Sequence, residues 1–169
     1  MDYVLIAGNL CTLLAMLCNA ISSTRKTPQG VLWMQTLSQG VYGLSALVLG
    51  GYSAVVQNVV SIFRNVAAIR NIKSKFLEWL LVILGVVLGV AFNNRSWIGL
   101  LPVIGNLQYT LAIFRYRDNE EKIKIYFLIS VVAYVIFNFA IRNYAGVAAD
   151  SIVIVTTAIM LLKSKNKKA

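Results

Sequence analysis

Phe76–Phe92 reads FLEWLLVILGVVLGVAF. Apart from Glu78 near its start it carries no charge, and as a helix it is long enough to cross a hydrocarbon core about 30 Å thick. It is also an apolar segment without a twin. Laid over 93–169, residues 1–77 align with no gap. Ala20 and Ile21 fall on Ala112 and Ile113, Arg25 on Arg117, Ser38 on Ser130, Tyr42 on Tyr134 and Tyr52 on Tyr144. Lys73 and Lys75 fall on Lys165 and Lys167, and Asn58 on Asp150. The identities are sparse, so the equal lengths of three apolar segments and their loops weigh more. Three crossings invert a chain, and an odd fourth helix lets two three-helix units share one orientation. The expected fold is an all-α polytopic membrane protein with seven transmembrane helices in a 3+1+3 parallel repeat, a transporter-like plan. Residues 1–75 form the first unit, 76–93 the linker helix and 94–169 the second unit.

Composition agrees. With 59% hydrophobic and 13% charged residues the chain does not read as a water-soluble domain. The expected spans are Tyr3–Ser22, Val31–Leu49, Gly51–Arg70, Phe76–Phe92, Trp97–Phe114, Ile125–Ile141 and Tyr144–Leu162. Every backbone N–H and C=O must be paired in lipid, which leaves helices or a closed barrel. Long apolar runs without period-two alternation select helices. The Gly50-Gly51 and Arg142-Asn143 turns are short enough to make the helices on either side antiparallel neighbours.

The net charge of +10 invites a nucleic-acid reading, but its distribution gives a different one. With the N-terminus outside, the inner face receives Arg25 and Lys26, then Arg70, Lys73 and Lys75, then Arg115, Arg117, Lys122 and Lys124, and finally Lys163, Lys165, Lys167 and Lys168. The outer face receives Arg95 and Arg142. About thirteen against two is a strong positive-inside bias, so the expected orientation is N-out and C-in. These cations set topology and meet anionic lipid; the expected partners are the bilayer and a small polar solute, and no nucleic acid.

Tyr3–Ser22 lacks the basic start of a cleavable signal, and Arg25-Lys26 follows it instead. Cys11 and Cys18 lie seven apart on one helix, too far to bridge, and serve as apolar filler. There is no His and no Cys/His metal spacing, so neither a cofactor nor a metal is expected. Gly85 and Gly89 form a small-xxx-small pair, read first as packing inside the bundle and second as a homodimer contact. Trp79 and Tyr126 at the inner boundary, with Trp97, Tyr52 and Tyr144 at the outer one, read as an aromatic belt.

Polar residues inside the spans carry whatever chemistry there is. Asp150 lies roughly 10 Å along the last helix. A central carboxylate costs about 2.5–3.5 kcal/mol on insertion scales, so it should face a cavity or a partner. Arg64, toward the inner side, is expected to snorkel inward rather than reach Asp150. Asn58 stands at the depth of Asp150 on the third helix. Ser38 with Tyr42, and Ser130 with Tyr134, are each four apart and share a helix face. Each of these residues has a bland reading as packing; two related pairs together with Asn58 and Asp150 favour a site. Asn106, Gln108 and Asn138 add polarity to the second unit. Pro102, inside the expected fifth helix, should free the carbonyl of Ile98 and, with Gly105, make a hinge or a static kink.

The run Leu100-Leu101-Pro102-Val103-Ile104-Gly105, the Ser130-x-x-x-Tyr134 helix leading into Asn138-Phe139, and Asp150 resemble the YgjV family of small bacterial inner-membrane proteins over most of the chain. That family is similar in turn to the SWEET, semiSWEET and PQ-loop group, which passes small solutes between two related three-helix bundles. The resemblance implies a SWEET-like fold in the bacterial cytoplasmic membrane. It also implies a solute surrounded by Asn58, Asp150, Ser38, Tyr42, Ser130 and Tyr134, with Asn138 beside them. The chain departs from the SWEET pattern in three places. An aspartate replaces one asparagine, tyrosines replace both tryptophans, and the first unit lacks its proline.

The functional expectation is a uniporter or proton-coupled carrier of a small polar solute such as a sugar or vitamin precursor. The alternative is a non-transporting receptor or assembly protein of the same fold. An enzyme is not expected, since no His, close carboxylate pair or nucleophile–base arrangement is present.

Overall fold

The computed structural model describes residues 2–23, 28–72, 74–116 and 119–166. Its helices are α1 (Tyr3–Ser23), α2 (Pro28–Val48), α3 (Tyr52–Ile69), α4 (Lys75–Ala91), α5 (Leu101–Arg115), α6 (Glu120–Ala140) and α7 (Tyr144–Asn166). A 3-10 turn over Ser96–Leu100 leads into α5. Among the described residues there is no strand. By length and apolarity alone, Tyr3–Ile21 and Lys122–Ala140 are each able to cross a membrane, and Tyr144–Ile159 is a shorter apolar stretch.

Local chemistry explains the helix ends. Ser74 starts α4 by accepting from Leu77 N at 3.3 Å, and Asn119 starts α6 by accepting from Lys122 N at 3.0 Å. That cap begins α6 earlier than the expected Ile125. The two short turns share one geometry. Gly51 N donates to Ala46 O at 2.7 Å and Gly50 N to Leu47 O at 3.2 Å; Asn143 N donates to Asn138 O at 2.8 Å and Arg142 N to Phe139 O at 3.1 Å. Both are Schellman caps, which need a left-handed residue. Gly50 takes that conformation at φ 71° and Arg142 at φ 61°.

The fifth helix corrects the expectation for Pro102. It does not run unbroken from Trp97: the 3-10 turn comes first, and Pro102 sits in the first turn of α5. Its missing N–H costs nothing there, because first-turn N–H groups have no partner inside the helix. The carbonyl of Ile98 is not orphaned, since Leu101 N donates to it.

Helix α1 packs on α2 and α2 on α3; α5 packs on α6 and α6 on α7. Helix α4 lies against α3 and α5, α1 touches α7, and α3 touches α5. Gly85 and Gly89 are buried in the α3–α4–α5 contact, where a methyl built on Gly89 would sit 2.5 Å from Gln57 Nε2 and 2.7 Å from Val103. The small-residue face is therefore used within the chain, and a homodimer would need another surface. Polarity is inverted relative to a water-soluble bundle. Thr12, Ser45, Ser53, Gln57, Asn106 and Asn143 are buried, while Leu14, Leu44, Phe63, Ile83, Ile104, Phe139 and Ile152, one on each helix, are more than half exposed.

Candidate functional site

At the end that carries the two tight turns lies a cavity of about 310 Å³, lined by Asp2, Leu5, Leu49, Arg95, Ile141 and Arg142 among others. Its floor belongs to an apolar cluster of Ala46, Leu49, Ala54, Phe137 and Ile141, with Leu5 against it. A close approach makes the cluster dense, for a methyl on Gly51 would lie 2.8 Å from the Phe137 ring. Counting helix rise from the tight turns, Tyr42, Asn58, Tyr134 and Asp150 all stand roughly 9 Å deep, beyond this cluster.

Exposure separates these polar residues into two kinds. Ser38, Ser130 and Asn58 are buried. Ser38 Oγ donates to Ala15 O of α1 at 2.9 Å. Ser130 faces α5, where a methyl on Gly105 would come within 3.2 Å of its Oγ. Asn58 Nδ2 donates to Ala54 O of its own helix at 2.9 Å, and its Cβ lies 3.5 Å from where a methyl on Gly43 would stand. These three pack helices together, and Asn58 makes no bond to Asp150. Gly105 packs likewise, and Pro102 is buried.

Tyr42, Tyr134, Asn138 and Asp150 are only half-buried. Asn138 Nδ2 donates to Asp150 Oδ2 at 2.8 Å, and Asn143 Nδ2 donates to Asn138 Oδ1 at 3.2 Å. The second bond orients the Asn138 amide, so its NH₂ faces the carboxylate. Asp150 lies near both Tyr42 and Tyr134, and the Tyr42 hydroxyl shares a hydrogen bond with Asn19 of α1. A carboxylate from α7 thus stands near tyrosines from α2 and α6.

A second polar cluster was not legible as a unit. Gln57 Nε2 donates to Gly85 O at 2.8 Å, and Asn106 Nδ2 donates to Gln57 Oε1 at 2.8 Å. Arg64 Nη1 donates to Thr110 Oγ1 at 3.0 Å and to Asn106 Oδ1 at 3.4 Å. Its guanidinium lies 5.7 Å from the Tyr109 ring centroid, within cation–π range. Arg64 therefore turns into α5 instead of snorkelling. The sequence signal was a stripe on α3, Ser53, Gln57 and Ser61 at four-residue spacing with Arg64 continuing it, matched by Asn106 and Thr110 on α5. A cavity of about 10 Å³ behind this cluster, between α3, α4 and α5, has room for one water and no solute. Gln108 lines neither region, since its Nε2 donates to Tyr126 O at 3.0 Å.

Neither the curated proteins nor the solved structures contain a match to this chain. Residues 6–168 do match a family, Imp-YgjV, described as a bacterial inner membrane protein. The match spans almost the whole sequence, and the apolar exterior of the bundle agrees with it: the chain belongs to this family of bacterial inner membrane proteins.

Proposed function

We propose that this protein crosses the membrane seven times, as two three-helix units in parallel repeat, and carries a small polar solute between them. Transport is by uniport or coupled to protons, and Asp150 with Asn138, Tyr42 and Tyr134 contacts the solute. Large apolar side chains exposed on all seven helices support the seven spans. Two features support the repeat: the matching caps at 50–51 and 142–143, and the packing among α1–α3 and α5–α7, which survives their exchange although that of α4 on α3 and α5 does not. The basic loops support N-out, C-in. One observation carries the functional reading. The half-buried Asp150 carboxylate accepts from Asn138 at 2.8 Å at the depth of Tyr42 and Tyr134, behind an apolar floor, whereas the buried polar residues nearby are taken up in packing.

The test begins with a thermal-shift screen of the purified protein against sugars, nucleosides, amino acids and vitamins, followed by uptake of each hit into proteoliposomes. Asp150→Asn keeps the shape and removes the charge, and Asp150→Ala removes both. Uptake should fall at least tenfold in Asp150→Ala, with Asp150→Asn separating charge from hydrogen bonding. Unchanged uptake in both variants ends the proposal. Orientation is tested by Lys165→Cys, which should resist an impermeant thiol reagent in intact cells.

A further inference from the structure

Arg64 is a cation inside the bundle whose guanidinium is half used. Nη1 makes both of its hydrogen bonds, and among the described residues Nε and Nη2 make none and no carboxylate pairs with it. The sole buried side-chain polar atom without a partner, among the described residues, is Ser53 Oγ. The unused edge of Arg64, itself half-buried, is therefore not fully enclosed. A lone charge in a span is costly unless something answers it.

The surroundings hold the fork in place. Gly85 O fixes the Gln57 amide, Gln57 fixes Asn106, and the Asn106 carbonyl is thereby turned toward Arg64. Thr110 and the face of Tyr109 hold the rest of the group. What remains is a planar pair of donors on a positioned cation, the shape that receives a carboxylate through two parallel bonds. With one cation in the cluster, a singly charged anion is matched and a phosphate dianion is not. Arg64 is bonded to Asn106, whose neighbour Gly105 lies against Ser130, one helical turn from Tyr134, so an anion on Arg64 adjoins the site described above. Arg95 and Arg142 line the outer cavity and raise the local concentration of anions there.

We propose that Arg64, held by Asn106, Thr110 and Tyr109, receives the carboxylate of a small organic acid. The assignment deepens the carrier reading by naming the solute's class, and it rests on that reading for its purpose. Binding is measured apart from transport. The probes are lactate with lactamide, nicotinate with nicotinamide, and benzoate with benzamide, together with inorganic phosphate, each read by the melting temperature of the detergent-purified protein. At least one acid should raise melting where its amide does not. In Arg64→Gln the concentration giving half of that rise should increase more than tenfold. Should Arg64→Gln not fold, Arg64→Lys, which keeps the charge and loses the fork, carries the test with the same direction. Four results overturn the proposal: no response to any acid, equal responses to acid and amide, an acid response retained without Arg64, or a larger response to phosphate than to every carboxylate. Acid binding lost with Arg64, but no uptake of any solute, would instead sink the carrier reading and leave this one standing.

Discussion

Helices α1–α3 and helices α5–α7 are held together by different adhesives. Between α1 and α2 the joint is made by hydroxyls: Thr12 Oγ1 and Ser45 Oγ share a hydrogen bond at 2.6 Å, the remaining hydroxyl proton is within reach of Gly8 O, and Ser38 Oγ donates to Ala15 O. The offset that lays 1–77 on 93–169 places Ile104 and Phe137 at the positions of Thr12 and Ser45. There Ile104 is exposed and the Phe137 ring is buried against Ala46, Leu49 and Ala54 of α2 and α3 and their turn, while between α5 and α6 the Tyr109 and Phe127 rings lie 5.4 Å apart. The polar groups of the α1–α2 contact are absorbed in packing. The α6–α7 seam instead keeps Asn138 and the Asp150 carboxylate half-buried, with the buried Asn143 orienting the Asn138 amide. The α1–α2 contact is thus closed, and the α6–α7 seam leaves a carboxylate half-buried.

If that contrast is right, Phe137→Ala should be the most damaging packing change, at about 3 kcal/mol. This is the low end for a buried ring, since lipid rather than water surrounds it when the helices separate. Thermal unfolding of the detergent-purified protein measures it. Gly89→Leu should cost about 2 kcal/mol, because Gln57 and Val103 must move, and it should loosen α4 without changing oligomeric state. A new dimer or a lost one on size-exclusion chromatography would contradict the assignment of that face. Thr12→Val combined with Ser45→Ala removes the two hydrogen bonds that their hydroxyl protons make and should cost about 1.2 kcal/mol, since intramembrane bonds average about 0.6 kcal/mol. The smallest effects come from the paired caps and have opposite signs. Gly50→Ala should destabilise by about 1 kcal/mol, and Arg142→Gly should stabilise by a similar amount, because each has positive φ.

The helices could be read from the chain because lipid forces a simple rule: apolar runs of spanning length, broken by glycine or by charge. Tyr3 and Tyr144 begin helices as expected, and the Gly50-Gly51 and Arg142-Asn143 turns do pair their neighbours. The start of α5 was missed because a 3-10 turn has the same apolar content as a helical one. The candidate site was half legible. Ser38 and Tyr42 share a face by spacing, yet four residues advance a helix by about 400°, leaving an offset of about 40°. That offset lets Ser38 bury itself against α1 while Tyr42 stays half accessible. The Gln57–Asn106–Arg64 relay depends on how α3, α4 and α5 meet, which no local pattern records.

Asn9 makes a bond whose consequence lies in how the protein is made. Its Oδ1 accepts from Ala145 N at 2.9 Å and its Nδ2 donates to Arg142 O at 3.1 Å, across a separation of 133 residues for the latter. At a translation rate of about 5–20 residues per second, the first helix waits on the order of ten seconds for the turn it will hold. A bare amide would be a liability in lipid for that time. Asn9 Nδ2 also donates to Leu5 O of its own helix at 2.9 Å, a bond available from the moment α1 forms. Asn9 thus carries its own temporary partner on α1 until the turn between α6 and α7 is made and supplies the Arg142 carbonyl and the Ala145 N–H.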